Sequence, residues 1–291
     1  VRSETKQGIP DDLTGLGLRL NPVEPRSDPA RSNAFSMTYA QRLQQRIDSI
    51  GSQLCVGIDP RPDRHESVDA LEAFCSKVIT ETADRAATFK PNIAYFEALG
   101  VSGYAALSRL IKEMKSSGAL VILDAKRGDI GTTQEHYAKG YFEGWDVDAV
   151  TLSPYMGFDS IEPFLGRAGK GVYLLGVTSN QGAADLETQS LADGRLVFEL
   201  VGDLCERAAP GEAGMVLGLT NASADVLSRL PDVPLLIPGL GAQGGDLESL
   251  RDQSRSAPSV INVSRGILYP ETGDFSSNAK TYADRIAAVL S

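Results

Sequence analysis

Charged side chains gather in one short stretch, residues 121–131, whose sequence is VILDAKRGDIG. An apolar run leads into Asp124, and Lys126 and Asp129 follow it at spacings of two and three residues. A carboxylate beside an ammonium group holds the lysine in place and favours its charged form. Such a lysine can stabilise negative charge that develops on carbon and then deliver a proton. This spacing therefore predicts a reaction that passes through a carbanion-like state.

A further charge ends the preceding apolar run, ATFKPN, at Lys90. Residues two apart on a strand point to the same side, about 6 to 7 Å apart, so Asp124 and Lys126 are expected to share one face. On a neighbouring strand, Lys90 would lie beside them, with Asp129 at the turn that follows. The pattern predicts an alternating Lys–Asp–Lys–Asp array.

Each charge also has a structural interpretation. Asp129 could be a turn residue before a helix that starts with a capping box in residues 132–135. Asp124 and Lys126 could form a structural ion pair, and Lys90 could be a surface lysine. The presence of all four at strand ends of one fold favours the catalytic interpretation.

Eight apolar, β-rich runs recur from residue 54 onward, and most are followed by a helical pattern. They are LCVGID, ATFKPN, LVILDAK, DAVTLSP, GVYLLGVTS, GMVLGLT, PLLIPGLG and SVINVSRGI. Continuous apolar strands that alternate with amphipathic helices indicate a parallel sheet covered by helices. Eight such units in roughly 235 residues predict an α/β fold of the (β/α)8 TIM barrel type. A doubly wound open sheet is the alternative, although no GxGxxG motif follows the first strand.

We predict a single barrel domain over residues 37–291, preceded by a disordered extension over residues 1–36. The extension is rich in Pro, Ser, Asp and Arg, and it lacks the apolar region of a signal peptide. Met37 opens the first helical pattern and is a candidate start. The crossover GAADLETQSLADGRLVFEL, residues 182–200, exceeds a minimal connection, which leaves a lid or a decorated helix as alternatives.

Composition argues against several classes of protein. The formal net charge of −10 disfavours nonspecific nucleic-acid binding, and no apolar run approaches the roughly 18 residues of a membrane helix. The three cysteines, Cys55, Cys75 and Cys205, are odd in number and far apart, which is typical of a reducing cytoplasm. The two histidines, His65 and His136, form no cluster, so we expect no metal site.

The strand ends predict an anion site opposite the charged array, because TIM-barrel active sites lie at the C-terminal ends of the strands. The loops PGLGAQGGD and NVSRGI follow the last two strands, where many barrels bind phosphate. Arg265 can form a bidentate contact with phosphate, and Gln243 can add an amide donor. Further polar residues at strand ends are Asp59, Thr178 and Ser179.

These motifs, with GIDP, FKPN and TSNQGA, resemble those of the orotidine 5′-phosphate decarboxylase family, in its longer bacterial (type 2) branch. The likeness runs from about Gln53 to Leu268, and the D-x-K-x-x-D pattern of residues 124–129 is the family's signature. The resemblance implies decarboxylation of orotidine 5′-phosphate to UMP and CO2, the last step of de novo UMP synthesis. It implies no metal and no organic cofactor.

The resemblance also implies roles for the charged residues. Lys126 would protonate C6 of the pyrimidine, and Asp124 would face the departing carboxylate. Lys90 would link Asp124 to a ribose hydroxyl, and Asp59 would bind the ribose.

The remaining implied contacts surround the nucleotide. Ser179 matches the residue that contacts the pyrimidine, although the adjacent Thr178 leaves the register open by one. Gln243 and Arg265 would hold the 5′-phosphate.

A homodimer is implied as well. Asp129 and Thr133 would reach into the neighbouring subunit's site. The expected partners are thus the substrate, the product and a second copy of the chain, without nucleic acid or membrane, in the cytoplasm.

Two other functions compete with this one. A magnesium-dependent barrel that decarboxylates a sugar-phosphate β-keto acid needs a carboxylate ligand where Lys90 stands, and a lysine repels the cation. A non-catalytic barrel that binds a phosphorylated ligand has no need of two carboxylates near an anion.

Overall fold

The structure is a computed structural model that describes residues 37–240, 247–251 and 255–290. Its centre is a closed barrel of eight parallel strands, which pair in sequence order. This confirms the predicted (β/α)8 TIM barrel. The predicted extension over residues 1–36, and Gln243, lie outside the described residues. Strands β1 to β8 span Leu54–Ile58, Ala86–Pro91, Leu120–Arg127, Ala149–Leu152, Gly171–Val177, Ala213–Leu217, Leu235–Pro238 and Ser259–Val263.

Helices connect the strands on the outside of the barrel. Helices α1 to α10 span Tyr39–Ile50, Val68–Thr82, Ile93–Glu97, Gly100–Ser116, Gly131–Lys139, Ala183–Leu186, Val197–Glu206, Ala224–Ser228, Arg265–Leu268 and Phe275–Leu290. A π-helical turn covers Gly140–Gly144, and 3-10 turns cover Pro62–Arg64, Phe158–Ser160, Glu162–Phe164, Leu219–Asn221 and Leu247–Leu250. Within the described ranges, none of the helices has the length and apolarity needed to cross a membrane.

Helix α1 closes the N-terminal end of the barrel. Its buried side chains Tyr39, Leu43 and Ile47 pack against the inward-facing side chains of the strands. The Tyr39 and Tyr173 hydroxyls lie 3.2 Å apart, with their rings edge to face. A Cβ at Gly171, the first residue of β5, would lie 2.6 Å from the Tyr39 ring, so only glycine leaves room for this plug. The opposite, C-terminal end therefore stays available for a ligand.

A buried carboxylate holds the same N-terminal end together. Asp148, directly before β4, has a side chain that is 1% exposed and accepts from Arg42 Nη2 at 2.8 Å and Lys115 Nζ at 2.9 Å. It also accepts from the backbone N–H of Val121 at 2.9 Å. Helices α1 and α4 are thereby tied to the start of β4 by one side chain.

We predict that Asp148→Asn lowers the free energy of unfolding by about 2 to 4 kcal/mol, because two cations then face a neutral amide at a buried position. Asp146→Asn is the matched control: Asp146 also pairs with Lys115, but its side chain is 67% exposed, and we expect a change within about 0.5 kcal/mol. Urea denaturation of both variants measures the difference. Equal losses of stability in the two variants would contradict this account of the buried carboxylate.

Candidate active site

A cavity of about 690 Å³ opens at the C-terminal end of the barrel. Residues from all eight strands, or from the loops that follow them, line its wall. Most of the residues predicted from the sequence to belong to a site are among them: Asp59, Lys90, Asp124, Lys126, Thr178, Ser179 and Arg265.

Asp124 lies at the centre of a cluster of charges in this cavity. Lys90 Nζ donates to Asp124 Oδ2 at 2.8 Å, and Lys126 Nζ donates to Asp124 Oδ1 at 2.5 Å. The side chains of Lys90 and Asp124 are 6% and 10% exposed, whereas that of Lys126 is 48% exposed. The half-exposed lysine is thus held at its ammonium end yet remains accessible to a ligand.

Mutual attraction keeps the buried members of the cluster ionised. Burial alone would raise the pKa of Asp124, but Lys90 and Lys126 outweigh it and hold that pKa well below its usual range. Burial alone would lower the pKa of Lys90, but Asp124 and Asp59 outweigh it and hold that pKa above its usual range. Both groups are therefore charged throughout the neutral pH range.

Lys126 reaches Asp124 by a different geometry from the one that strand alternation predicts. The pairing of β3 with β4 passes from Leu123 opposite Val150 to Arg127 opposite Leu152, so β3 carries extra residues between these pairs. Lys126 lies in this irregularity with a left-handed φ of 49°. A local bulge, rather than regular alternation, thus orients the lysine.

Thr151 of β4 fills the gap that the bulge leaves in the ladder. Its Oγ1 accepts from the backbone N–H groups of Ala125 and Lys126, each at 3.0 Å, and donates to Asp124 Oδ1 at 3.0 Å. Sequence reasoning missed this residue, because a threonine in a strand needs no explanation beyond β-propensity.

Asp129 and Thr133 do not line the cavity of their own chain. Asp129 Oδ1 accepts from the backbone N–H of Ile130 at 2.8 Å, and Thr133 is exposed on α5. That helix begins at Gly131, with no side-chain cap at Ile130. The capping box considered for residues 132–135 is therefore wrong, because Thr132 already lies inside the helix.

Two buried oxygen atoms of the cavity wall have no hydrogen-bond partner among the described residues: Asp59 Oδ1 and Ser264 Oγ. A buried polar atom without a partner is costly, so such atoms indicate a place where a ligand or water completes the hydrogen bonds. Ser264 directly precedes Arg265 at the end of β8. The position of Ser264 in the motif NVSRGI was the only signal for it in the sequence.

The two neighbouring hydroxyl residues that follow β5, Thr178 and Ser179, differ in their hydrogen bonds. Glu187, from the long crossover of residues 182–200, accepts from Thr178 N at 2.6 Å and from Thr178 Oγ1 at 2.8 Å. In the described part of the chain, no hydrogen bond involves the hydroxyl of Ser179. The crossover thus supplies a carboxylate that occupies Thr178, a contact that the sequence did not reveal.

In residues 37–240, 247–251 and 255–290, no group of three or more His, Cys, Asp or Glu side chains is placed to hold a metal ion. The charged residues that line the cavity are two lysines, two arginines, two aspartates and a glutamate: Lys90, Lys126, Arg61, Arg265, Asp59, Asp124 and Glu187. This set suits an anionic ligand that also carries hydroxyl groups.

Comparison with known proteins agrees with this arrangement. Residues 52–280 match the sequence model of the family described as "Orotidine 5'-phosphate decarboxylase / HUMPS family". The chain belongs to this family. A member from Roseiflexus sp. (strain RS-1), named orotidine 5′-phosphate decarboxylase, is 45% identical over 266 residues, which cover 86% of this chain and 96% of the relative.

Further members of the family show the same likeness. The orotidine 5′-phosphate decarboxylase of Verminephrobacter eiseniae (strain EF01-2) is 45% identical over 271 residues, which cover 87% of this chain and 98% of the relative. The solved structure of Leishmania donovani OMP decarboxylase superimposes with a TM-score of 0.78 at 36% identity, over 87% of this chain and 99% of the other. Family membership thus rests on both sequence and fold.

The depressed pKa of Asp124 leads to a prediction about stability. A carboxylate whose pKa is lower in the folded than in the unfolded state stabilises the fold above its unfolded pKa of about 3.9, and that contribution is lost as the pH falls further. Asp124→Asn cannot titrate, so we expect the wild type to exceed it in unfolding free energy at pH 6 and the gap to narrow below about pH 4. Denaturation at a series of pH values measures the gap. A gap that stays constant down to pH 3 would contradict the prediction.

Proposed function

We propose that this chain decarboxylates orotidine 5′-phosphate to UMP and CO2 in UMP synthesis. The observation that carries the proposal is the Lys90–Asp124–Lys126 cluster, which lines one cavity with Arg265. Membership of the family supports the same activity, and so does the name of its relative from Roseiflexus sp., orotidine 5′-phosphate decarboxylase.

The nucleotide lies across the cavity mouth with its two anionic groups apart. Arg265 binds the 5′-phosphate, with Gln243 of the preceding loop as a second donor. Asp59, whose buried Oδ1 has no partner in the described part of the chain, accepts from a ribose hydroxyl. Lys90 also contacts the ribose, which places the pyrimidine over Asp124.

The chemical step breaks the bond between C6 and the carboxylate carbon. CO2 leaves, the electron pair of the broken bond stays on C6, and Lys126 Nζ transfers a proton to C6 to give UMP. Lys126 then regains a proton from water. A cation about 4 Å from the developing carbanion contributes on the order of 4 kcal/mol at an effective dielectric constant of 20, or roughly a thousandfold in rate.

Asp124 has two effects in this step. It fixes the ammonium group of Lys126 beside the reacting carbon, which limits the reorganisation needed in the transition state. It also faces the substrate carboxylate, so repulsion favours loss of that group.

Ser179 is the residue that contacts the pyrimidine. The hydroxyl of Thr178 is held by Glu187 at 2.8 Å, which leaves the Ser179 hydroxyl of the same cavity wall for the ligand. The contact between Thr178 and Glu187 supports Ser179, rather than Thr178, as the residue that contacts the pyrimidine.

The active assembly is a homodimer in which each subunit completes its partner's site. Asp129 and Thr133 lie next to the charged cluster in sequence but outside their own cavity. Asp129 belongs to the family signature and Thr133 follows it closely, yet both lie outside their own cavity. A contribution across an interface accounts for this, because a two-fold axis exchanges the same segment between subunits.

Exposed apolar side chains surround that loop. The loops after β3 and β4 are adjacent, since Ser153 N donates to Arg127 O at 2.7 Å. Ile130, Tyr155 and Met156 of these loops are 51%, 81% and 48% exposed. Exposed apolar residues on two adjacent loops fit an interface with a second copy.

Removal of Lys126 tests the chemistry. We predict that Lys126→Ala lowers kcat at least about a thousandfold, while UMP still binds through Arg265 and Asp59. Loss of the orotate chromophore, followed by ultraviolet absorbance with excess EDTA, measures turnover, and calorimetry measures UMP affinity. Lys112→Ala, at an exposed lysine of α4, is the control and should retain wild-type turnover.

Each outcome of that assay bears on a different claim. Rapid turnover by the wild type in EDTA supports the decarboxylase and excludes the magnesium-dependent alternative. Absence of turnover by the folded wild type would overturn the proposed function, and near-normal turnover by Lys126→Ala would overturn the role of the lysine.

Mixing two inactive variants tests the shared site. In a dimer that combines Lys126→Ala with Asp129→Ala, one site carries both substitutions and the other carries neither, so we predict that activity reappears on mixing. The unmixed variants, refolded by the same procedure, are the controls. If the mixture stayed as inactive as its components although mixed dimers had formed, Asp129 would act within its own chain.

A further inference from the structure

We infer that Thr151 is a positioning residue that holds the proton donor and its carboxylate in register, an inference that rests on the proposed function. The residue is 1% exposed on β4 and lines the cavity. Its hydroxyl contacts both partners of the Asp124–Lys126 pair, at the side chain of one and the backbone of the other.

The hydrogen bonds of Thr151 leave no choice of direction. The backbone N–H groups of Ala125 and Lys126 can only donate, so Oγ1 accepts both, each at 3.0 Å. A hydroxyl has one hydrogen and two lone pairs, and the hydrogen therefore goes to Asp124 Oδ1, also at 3.0 Å. One hydroxyl thus uses its whole hydrogen-bonding capacity on three consecutive residues of β3.

The backbone of Lys126 needs this support. A lysine with a φ of 49° occupies a sparsely populated conformation, which persists only where the surroundings impose it. The bulge separates the N–H groups of Ala125 and Lys126 from the regular ladder to β4. The Thr151 hydroxyl oxygen, on β4, takes the place of the backbone carbonyl groups of β4 that a regular ladder would offer to these N–H groups.

The same oxygen connects backbone and charge. Asp124 Oδ1 accepts from Lys126 Nζ and from Thr151 Oγ1, so the hydroxyl fixes the carboxylate oxygen that holds the ammonium group. Without the hydroxyl, the bulge and the carboxylate can shift independently. Lys126 then keeps its charge but loses its fixed position relative to the substrate.

We predict that Thr151→Val lowers kcat roughly tenfold to a hundredfold, because misplacement by about 1 Å has effects of that size. KM and UMP affinity should change less than about threefold, because Arg265 and Asp59 follow the ends of β8 and β1, whereas Thr151 lies on β4. Thr151→Ser keeps the oxygen and should restore most of kcat. Thr82→Val, at a buried threonine of α2 whose hydroxyl donates to Val78 O, is the control for loss of a buried hydroxyl outside the site.

A second pair of variants covers the case in which valine prevents folding. Thr151→Ser and Thr151→Cys both lack the methyl group and differ only in oxygen against sulfur, a poor hydrogen-bond partner. The inference requires high kcat for serine and low kcat for cysteine, at similar thermal stability. Equal kcat in these two variants would overturn it.

The remaining results separate this inference from the function on which it rests. If the wild type decarboxylates orotidine 5′-phosphate and Thr151→Val has the same kcat, the role of Thr151 is overturned but the proposed function stands. The role of Thr151 is also overturned if Thr151→Val and Thr82→Val lose kcat and thermal stability to the same degree. Wild-type protein that is folded but inactive on orotidine 5′-phosphate overturns the proposed function, and the inference with it.

Discussion

The site depends on the compensation of one buried carboxylate. Burial alone would raise the pKa of Asp124, and the carboxylate stays ionised because Lys90 and Lys126 lie against its two oxygens and hold that pKa below its usual range. The dependence is mutual, since Lys90 would lose its proton more readily without Asp124. Loss of one member of such a cluster is expected to destabilise the fold, because a buried charge without its partner is strongly destabilising.

The two lysines of the cluster differ in exposure, and this difference suits them to different roles in the proposed reaction. Lys90, whose side chain is 6% exposed, neutralises the carboxylate from within the barrel wall. Lys126, whose side chain is 48% exposed, has the access that a proton donor needs. If Lys126 alone compensated Asp124, its movement toward a substrate would leave the carboxylate unpaired. With Lys90 in place, Lys126 can interact with the substrate while Asp124 stays charged.

The architecture was predictable from the sequence because it follows from local rules. All eight apolar runs became strands, since continuous apolar residues between helical patterns are buried on both faces in a parallel barrel. Gly118 follows α4 with a left-handed φ of 82°, the conformation in which glycine commonly ends a helix. The short helix α3 was missed, because its residues Ile93–Glu97 span little more than one turn and show no period.

The fine geometry of the site was not predictable, because contacts between distant residues determine it. Strand alternation placed Asp124 and Lys126 on one face, but the bulge at Lys126 is hydrogen-bonded to Thr151 of the neighbouring strand, and no local pattern reports such a pair. Glu187 reaches Thr178 for the same reason, from a crossover whose sequence shows only its excess length. A threonine already suits a strand by its β-propensity, so the sequence gives no sign of a second role. The contacts of Thr151 with β3 are visible only in the folded structure.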